Sequence, residues 1–226
     1  MNHFARGGGR IVDHRNPSYK TRWEASGNNR FNGAYYYSME IVGRIIPNVA
    51  TDRNWITVNQ PGAAYDHSIV FIHNNLRPER YDWLADYEDL VLVCGVPSTC
   101  AKVAHLGHAV YLPLSIDVPH VEQFRCEKTR RDAYVGRRTK MFSTMFTSDV
   151  DIVSGMERDK LLATMAKYER VYAVGRTAIE AVALGCEILV YDGRYTDPTF
   201  WKVVDNLEAA AMLQEMLDSI DGKAGA

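Results

Sequence analysis

Apolar residues along this chain fall into short runs that alternate with stretches of helical spacing. In the second half, the runs RVYAV and CEILV flank an alanine-rich stretch that opens with Gly175-Arg176-Thr177. A parallel crossover needs about a dozen residues or more between its strands, which this stretch supplies. Residues 170–194 are therefore predicted to form a strand, a helix that Thr177 can cap, and a second strand, with Gly185 ending the helix at positive φ.

The same alternation covers most of the chain. Apolar runs predict further strands at residues 11–13, 55–58, 68–73, 90–94, 109–114, 133–135 and 149–153, and helical spacing predicts helices at residues 34–46, 78–88, 97–106, 157–168 and 206–220. The run at residues 90–94 is almost uninterrupted, which indicates burial on both faces and a parallel sheet. The fold class predicted is α/β, with two Rossmann-like lobes and mostly parallel sheets.

A change of character divides the two lobes. Residues 125–131 are charged and lack an apolar period, which favours an interdomain linker over a surface loop within one domain. The predicted domains are residues 1–124 and 125–226.

Composition narrows the class of protein. A chain of 226 residues with 46% hydrophobic and 24% charged residues can build a substantial core. The formal charge of −2 gives no global attraction to nucleic acid, although a local basic patch still could. The sequence lacks both an apolar run of about 18 residues and the apolar stretch of a signal peptide, so we expect no membrane span and a cytoplasmic location. The four cysteines lack zinc spacing and are expected to be buried, reduced thiols.

Two segments of the second half suit an anion. The helix predicted after Gly175 starts where a strand ends, so its amides and dipole favour negative charge. Gly136, at the end of another predicted strand, is followed by three cations, Arg137, Arg138 and Lys140. Glycine allows close approach of the backbone, and cations neutralise phosphate charge, so this segment suits a pyrophosphate.

The words GRTAIEAVALGCEILVYD resemble a segment of the GT-B glycosyltransferases, in particular family 4-like enzymes. In that family a glutamate within a small-residue helix holds the ribose of the donor, and Glu180 is the matching residue. The family often carries a second acid eight positions earlier, where this chain has Tyr172. The resemblance therefore implies ribose binding by Glu180 more than it implies the usual retaining mechanism.

Other segments extend the resemblance. The Gly136 to Lys140 segment is similar to the start of the GT-B C-terminal domain, where arginine and lysine grip the donor diphosphate. The phrase RFNGAYYYSMEI resembles the loop through which the acceptor approaches the donor, which makes Asn32 and Gly33 acceptor-side candidates. Gly33 could equally just begin a helix.

The resemblance implies two lobes facing a cleft and transfer of a sugar from a nucleoside diphosphate sugar to a hydroxyl. Cations would stabilise the departing diphosphate, with help from the amides of Arg176 and Thr177, so no cofactor or metal is expected. Asp192, just past the last predicted strand, could touch the donor sugar. The Asp149-Val150-Asp151 sequence matches the metal-binding DxD of another glycosyltransferase class, but it begins a predicted strand, which argues against a metal site.

An inverting transfer needs a base near the acceptor hydroxyl. Asp13, His14, His67 and His73 are candidates in the first half, and we favour His73 and Asp13 because strand ends are where ligands meet open α/β sheets. Stereochemistry stays open.

Two other classes fit the same residues: a nucleotide-sugar-binding module without catalysis, and a nucleotide-sugar epimerase. For a transferase, the acceptor could be a saccharide, a protein, a small molecule or a modified base in DNA.

Overall fold

The computed structural model describes residues 11–13, 41–58, 66–72, 78–136, 149–193 and 195–222. It shows an α/β protein with two mostly parallel sheets, which confirms the α/β class and the parallel strands of the prediction. The chain divides into two compact units: unit 1 comprises Met1–Pro113 and Leu207–Ala226, and unit 2 comprises Leu114–Asn206. The division falls earlier than the predicted boundary at residue 124, and the last helix belongs with the first unit.

The sheet of unit 1 has the strand order β1-β2-β3-β4-β5. Its strands are β1 (Ile11–Asp13), β2 (Asn54–Val58), β3 (Ser68–Ile72), β4 (Leu90–Cys94) and β5 (His108–Tyr111). Strands β2 to β5 are parallel, whereas β1 pairs with β2 in the antiparallel direction. Every residue of β3 and β4 is buried, as expected for central strands covered on both faces.

Helical elements of unit 1 follow the predicted pattern where the structure describes them, and the last helix has the predicted bounds. They are α1 (Gly43–Ile45), a 3-10 helix at Ile46–Asn48, a 3-10 helix at Pro78–Asp86, α2 (Pro97–Val103) and, after unit 2, α6 (Asn206–Ile220). Strands β2 to β5 advance in one direction, so right-handed crossovers place their helices on one face. There, Tyr81 and Leu84 of the second 3-10 helix pack with Leu92 of β4 and Val103 of α2.

Helix α6 is joined to unit 1 by polar contacts. Gln214 Oε1 accepts a hydrogen bond from the Ala50 amide at 2.7 Å. The buried Arg53 guanidinium donates to Asp221 at 2.7 Å and to Asp89 at 3.0 Å. Leu213 and Leu217 of α6 are buried in the core, and Asp221, the residue after the helix, supplies the ion pair.

The sheet of unit 2 has four parallel strands in the order β7-β6-β8-β9. They are β6 (Arg130–Val135), β7 (Asp151–Val153), β8 (Tyr168–Tyr172) and β9 (Glu187–Leu189). The helical elements are α3 (Val118–Glu122), α4 (Arg158–Met165), α5 (Arg176–Ala183) and a 3-10 helix at Pro198–Phe200.

Helices α4 and α5 lie on the same face of this sheet. The connections β7 to β8 and β8 to β9 both advance in one direction, and right-handed crossovers then place both helices on one side. Leu162 and Met165 of α4 and Ile179 of α5 pack in one core with Val171 of β8. Helix α3 also packs against α5.

The charged segment at residues 125–131 lies within unit 2 and is not a linker. Lys128 Nζ donates at 2.8 Å to the carbonyl oxygens of Ala166 and Leu184, the C-caps of α4 and α5. Arg125 Nε donates at 2.5 Å to Ala183 O, also at the end of α5. Helix C-termini leave carbonyls without intrahelical partners, and cations satisfy both these carbonyls and the helix dipole. The segment lacks an apolar period because its side chains cap helices.

Gly185 ends α5 as predicted, with φ of 78°. Its amide bonds to Val182 O at 2.9 Å and the Cys186 amide to Ala181 O at 2.8 Å, the two bonds of a Schellman motif.

Asp151 begins β7, two residues later than the predicted start at Asp149, and lies where the parallel strands start. Its carboxylate accepts from the Tyr168 hydroxyl at 2.8 Å and from Arg130 at 3.1 Å. It is therefore part of a structural contact.

The four cysteines are free thiols, with Cys94 and Cys186 buried, Cys100 half-buried and Cys126 exposed. Exposure of Cys126 departs from the prediction that all four are buried. Burial raises the pKa of the Cys94 thiol. No helix among the described residues has the length and apolar character needed to cross a membrane.

Candidate functional site

The strand order of unit 2 creates a switch point between β6 and β8. From β6 the chain moves to β7 on one side and then returns past β6 to β8 on the other. Ligands of open α/β sheets bind at such a point, beyond the ends of the strands. We call the edge where the parallel strands end the carboxyl edge. In unit 2, Gly136 directly after β6 and Gly175 before α5 lie at this edge.

The turn from β8 into α5 depends on Gly175. This residue is the N-cap of α5 and has φ of 66° and ψ of −145°, a combination found essentially only in glycine. The prediction that Thr177 caps this helix is wrong. The N-cap residue is Gly175, and no side chain forms a capping hydrogen bond. The first amides of α5, which have no intrahelical partners, lie at the carboxyl edge.

Glu180 is the centre of a buried ion cluster. Its side chain is 0% exposed, and Arg158 of α4 donates to both carboxylate oxygens, with Nη1 at 2.6 Å from Oε2. Arg176, the first residue of α5, places Nε 2.9 Å from Oε1 as an ion pair without aligned hydrogen-bond geometry. We call Arg158, Glu180 and Arg176 the arginine–glutamate cluster.

This cluster changes the expected role of Glu180. A buried carboxylate needs compensation, and the two guanidinium groups supply it. Because the Glu180 side chain is fully buried, a ribose hydroxyl would reach it only after the side chains around it move. The arginines themselves have side chains that are 14% and 19% exposed, so part of each remains accessible at the carboxyl edge.

Gly136 lies one residue beyond β6 at the same edge, and its amide bonds to Val153 O at 3.2 Å. A Cβ added there would meet the Tyr134 hydroxyl at 2.7 Å, so Tyr134 packs directly against the glycine. The predicted diphosphate ligands Arg137, Arg138 and Lys140 lie outside the described residues, and their role stays a prediction.

Three tyrosines lie near the ends of β6, β8 and β9. Tyr134 and Tyr172 are directly paired in the sheet, and the Tyr191 ring meets both of their rings edge-on, at 5.6 and 6.4 Å between centroids. Tyr172, the residue at the position of the missing acid, is thus part of an aromatic contact. Asp192 follows Tyr191, half-buried, and its carbonyl accepts from the Tyr195 amide at 2.9 Å.

Sequence reasoning missed a histidine and aspartate pair next to this cluster. His120 Nε2 lies 3.0 Å from Asp159 Oδ1, joining α3 to α4. Asp159 is the residue after Arg158, in the first turn of α4. The available signal was the sequence Asp117-Val118-Pro119, an N-cap and proline start that marks a helix carrying His120.

The acid predicted in the first half does not lie where a strand end was expected to place it. Asp13 ends β1, but β1 is antiparallel and Asp13 pairs with Ile56, so the strand runs toward the edge where β2 to β5 begin. The reasoning that favoured Asp13 assumed a parallel strand. His73, Asn32 and Gly33 lie outside the described residues.

The described residues contain no group of three or more His, Cys, Asp or Glu side chains arranged to hold a metal ion. No protein-family model, no curated protein and no solved structure matches this chain.

Proposed function

We propose that unit 2 binds the diphosphate of a nucleoside diphosphate sugar at the switch point, and that the protein is a metal-independent glycosyltransferase. The observation that supports this most is the arginine–glutamate cluster, which holds two partly accessible guanidinium groups beside the first turn of α5 at the carboxyl edge.

The chemistry of the cluster suits a diphosphate. Guanidinium is planar and binds phosphate oxygens through two parallel hydrogen bonds. The amides and dipole at the start of α5 add positive potential at the same place. Arg137, Arg138 and Lys140, which follow β6 in sequence, would add further cations to the switch point.

Glu180 fixes the two arginines in this arrangement. Fixed cations stabilise charge that develops on a departing diphosphate without reorganising during the reaction. A direct bond from Glu180 to the ribose would require the buried side chains around it to move, and binding of the diphosphate does not depend on it.

Thermal unfolding with UDP, GDP, ADP, TDP and CMP, each with and without EDTA, tests this function. A ligand at a hundred times its dissociation constant adds about 2.7 kcal/mol of stability. We expect at least one nucleoside diphosphate to raise the melting temperature, with or without EDTA.

Arg176→Ala should weaken that shift, since it removes a guanidinium but leaves Arg158 to pair Glu180. Arg131→Ala is the matched control, because Arg131 is exposed on β6 near the opposite edge. A flat response of the wild-type protein to every nucleotide would contradict the proposed function.

A further inference from the structure

We infer that His120, oriented by Asp159, is the proton acceptor for the hydroxyl that attacks the donor sugar. This inference rests on the proposed function, since it needs a sugar diphosphate at the arginine–glutamate cluster. It places a base within unit 2.

The imidazole is held in one orientation. Nε2 bonds to Asp159 at 3.0 Å, and the ring meets the Phe124 ring edge-on at 5.5 Å between centroids. The backbone amide of His120 is also anchored, because it donates to the Asp117 carboxylate at 3.1 Å. A carboxylate that orients an imidazole is a recurrent arrangement for a general base.

The histidine is accessible as well as oriented. Its side chain is 35% exposed, which leaves room for a hydroxyl to approach the ring. Among the described residues, the carboxylates that bond to it are Asp159 from α4 and, through its backbone amide, Asp117 at the N-cap of its own helix.

The first turn of α4 joins the base to the predicted diphosphate site. Arg158 reaches Glu180 on α5, and the next residue, Asp159, reaches His120 on α3. Successive Cα atoms are about 3.8 Å apart, so adjacent backbone positions in one turn of α4 carry the partner of Glu180 and the partner of His120.

The placement of the proton on the imidazole ring is consistent with this role. When Nε2 carries the proton and donates it to Asp159, Nδ1 has the lone pair that accepts a proton. The hydroxyl oxygen then bonds to the anomeric carbon while its proton moves to Nδ1. The bond from that carbon to the diphosphate oxygen breaks, and its electron pair leaves with the diphosphate.

Two other histidines in the described part of the chain also lie near carboxylates, but both belong to unit 1, whereas His120 belongs to unit 2. His105 lies 3.8 Å from Asp82, and both side chains are more than half exposed. His67 lies between Asp52 and Asp89 where the strands of unit 1 begin. His105→Gln therefore serves as a control for loss of an exposed histidine.

Hydrolysis tests the inference, because water can replace the unidentified acceptor. The probes are UDP-glucose, GDP-mannose, ADP-glucose and TDP-glucose, with rates measured across pH and nucleotide binding measured in parallel. We expect His120→Gln to lower the hydrolysis rate by about a hundredfold or more while nucleotide binding and the melting temperature stay near wild type.

Asp159→Asn should lower the rate less than His120→Gln, since Asp159 is a positioning residue. Free imidazole should restore part of the rate of His120→Gly, which a purely structural role would not permit. His105→Gln should hydrolyse at the wild-type rate.

Wild-type hydrolysis by a folded His120→Gln variant would overturn the inference. Nucleotide binding without hydrolysis of any probe by the wild-type protein would overturn it too, while leaving the diphosphate site in place. Absence of nucleotide binding would contradict the proposed function itself.

Discussion

Arg158 and Glu180 form a two-point ion pair that joins the first turn of α4 to the middle of α5. Glu180 is 0% exposed and the Arg158 side chain is 14% exposed, so the pair is buried on one side and reaches the carboxyl edge on the other. It therefore fixes the relative position of two helix starts at the switch point. The residues that stabilise unit 2 are also those proposed to bind the ligand.

Replacing Glu180 by Gln should destabilise the protein. The variant removes the carboxylate that compensates two arginines, and breaking a buried pair costs about 3 to 5 kcal/mol, which partial exposure of the arginines lowers to about 2. Urea unfolding followed by circular dichroism measures the change. Glu169→Gln, an exposed position on β8, should leave stability unchanged. Equal stability of the two variants would show that the ion pair contributes nothing to folding.

Gly136→Ala should destabilise unit 2 by steric contact with Tyr134. The added methyl would lie 2.7 Å from the hydroxyl of a side chain that is itself buried, and overpacking costs about 1 to 3 kcal/mol. Tyr134→Phe removes the hydroxyl, so the double variant should lose less than the sum of the two single variants. A double-mutant cycle measured by urea unfolding gives the coupling, and strict additivity would refute the contact.

Lys128→Met should destabilise the protein by about 2 kcal/mol, because hydrogen bonds from a charged donor to two helix-end carbonyls are lost. Methionine keeps much of the apolar stem, so the difference reports on the ammonium group. Thermal unfolding at matched pH measures it. Lys167→Met is the control, since Lys167 is exposed beside the same end of α4. A loss of the same size in both variants would count against the capping role.

His67 should make the stability of the protein depend on pH. The hydrogen bond to Asp89 raises the pKa of His67, so the folded state binds the proton more tightly than the unfolded state. Its contribution is therefore fully present below the unfolded value of about 6.5 and is lost as pH rises through the higher folded value.

The free energy of unfolding of the wild type and of His67→Asn should be measured in denaturant between about pH 5.5 and about pH 8.5. The difference between the two proteins should become smaller as pH rises. Asparagine tolerates the positive φ of 54° found at this position, so backbone strain should not obscure the effect. A constant difference across pH would refute the role of the imidazolium.

Elements with a strong apolar period were predictable from the sequence. The uninterrupted run at β4 and the helical spacing of α6 appear in the structure within one or two residues of their expected ends. The strand, helix and strand unit around α5 was predictable because Gly175 and Gly185 both take the backbone conformations that glycine permits. These signals are local, and tertiary contacts agree with them.

The direction of each strand and the partners of long-range side-chain contacts were not predictable in the same way. An apolar run does not show whether a strand is antiparallel, which is why Asp13 was expected at the wrong edge. The capping role of Lys128 depends on two carbonyls 38 and 56 positions away. The spacing of apolar residues along the chain does not indicate contacts between residues so far apart in sequence.

The candidate site was predicted in part. The sequence pointed to Glu180 and to the start of α5, and the structure adds Arg158 and His120 from other helices. Arg158 pairs with Glu180 22 positions away and His120 with Asp159 39 positions away. The Arg158–Glu180 pair arises because parallel crossovers bring the starts of α4 and α5 to one edge of the sheet, which becomes visible only once strand order is known. The His120–Asp159 pair depends instead on α3, which precedes the sheet in the chain and packs against α5.

Unit 2 begins and ends at one place in the fold. The Ser115 hydroxyl donates to Asn206 at 2.8 Å, and Ile116 forms a parallel bridge with Asp205. These contacts hold the two ends of unit 2 next to each other. The chain re-enters unit 1 at Leu207, within α6. Residues 114–206 should therefore be excisable as a self-contained fragment, whereas a fragment ending at residue 113 would lack the helix that supplies Leu213 and Leu217.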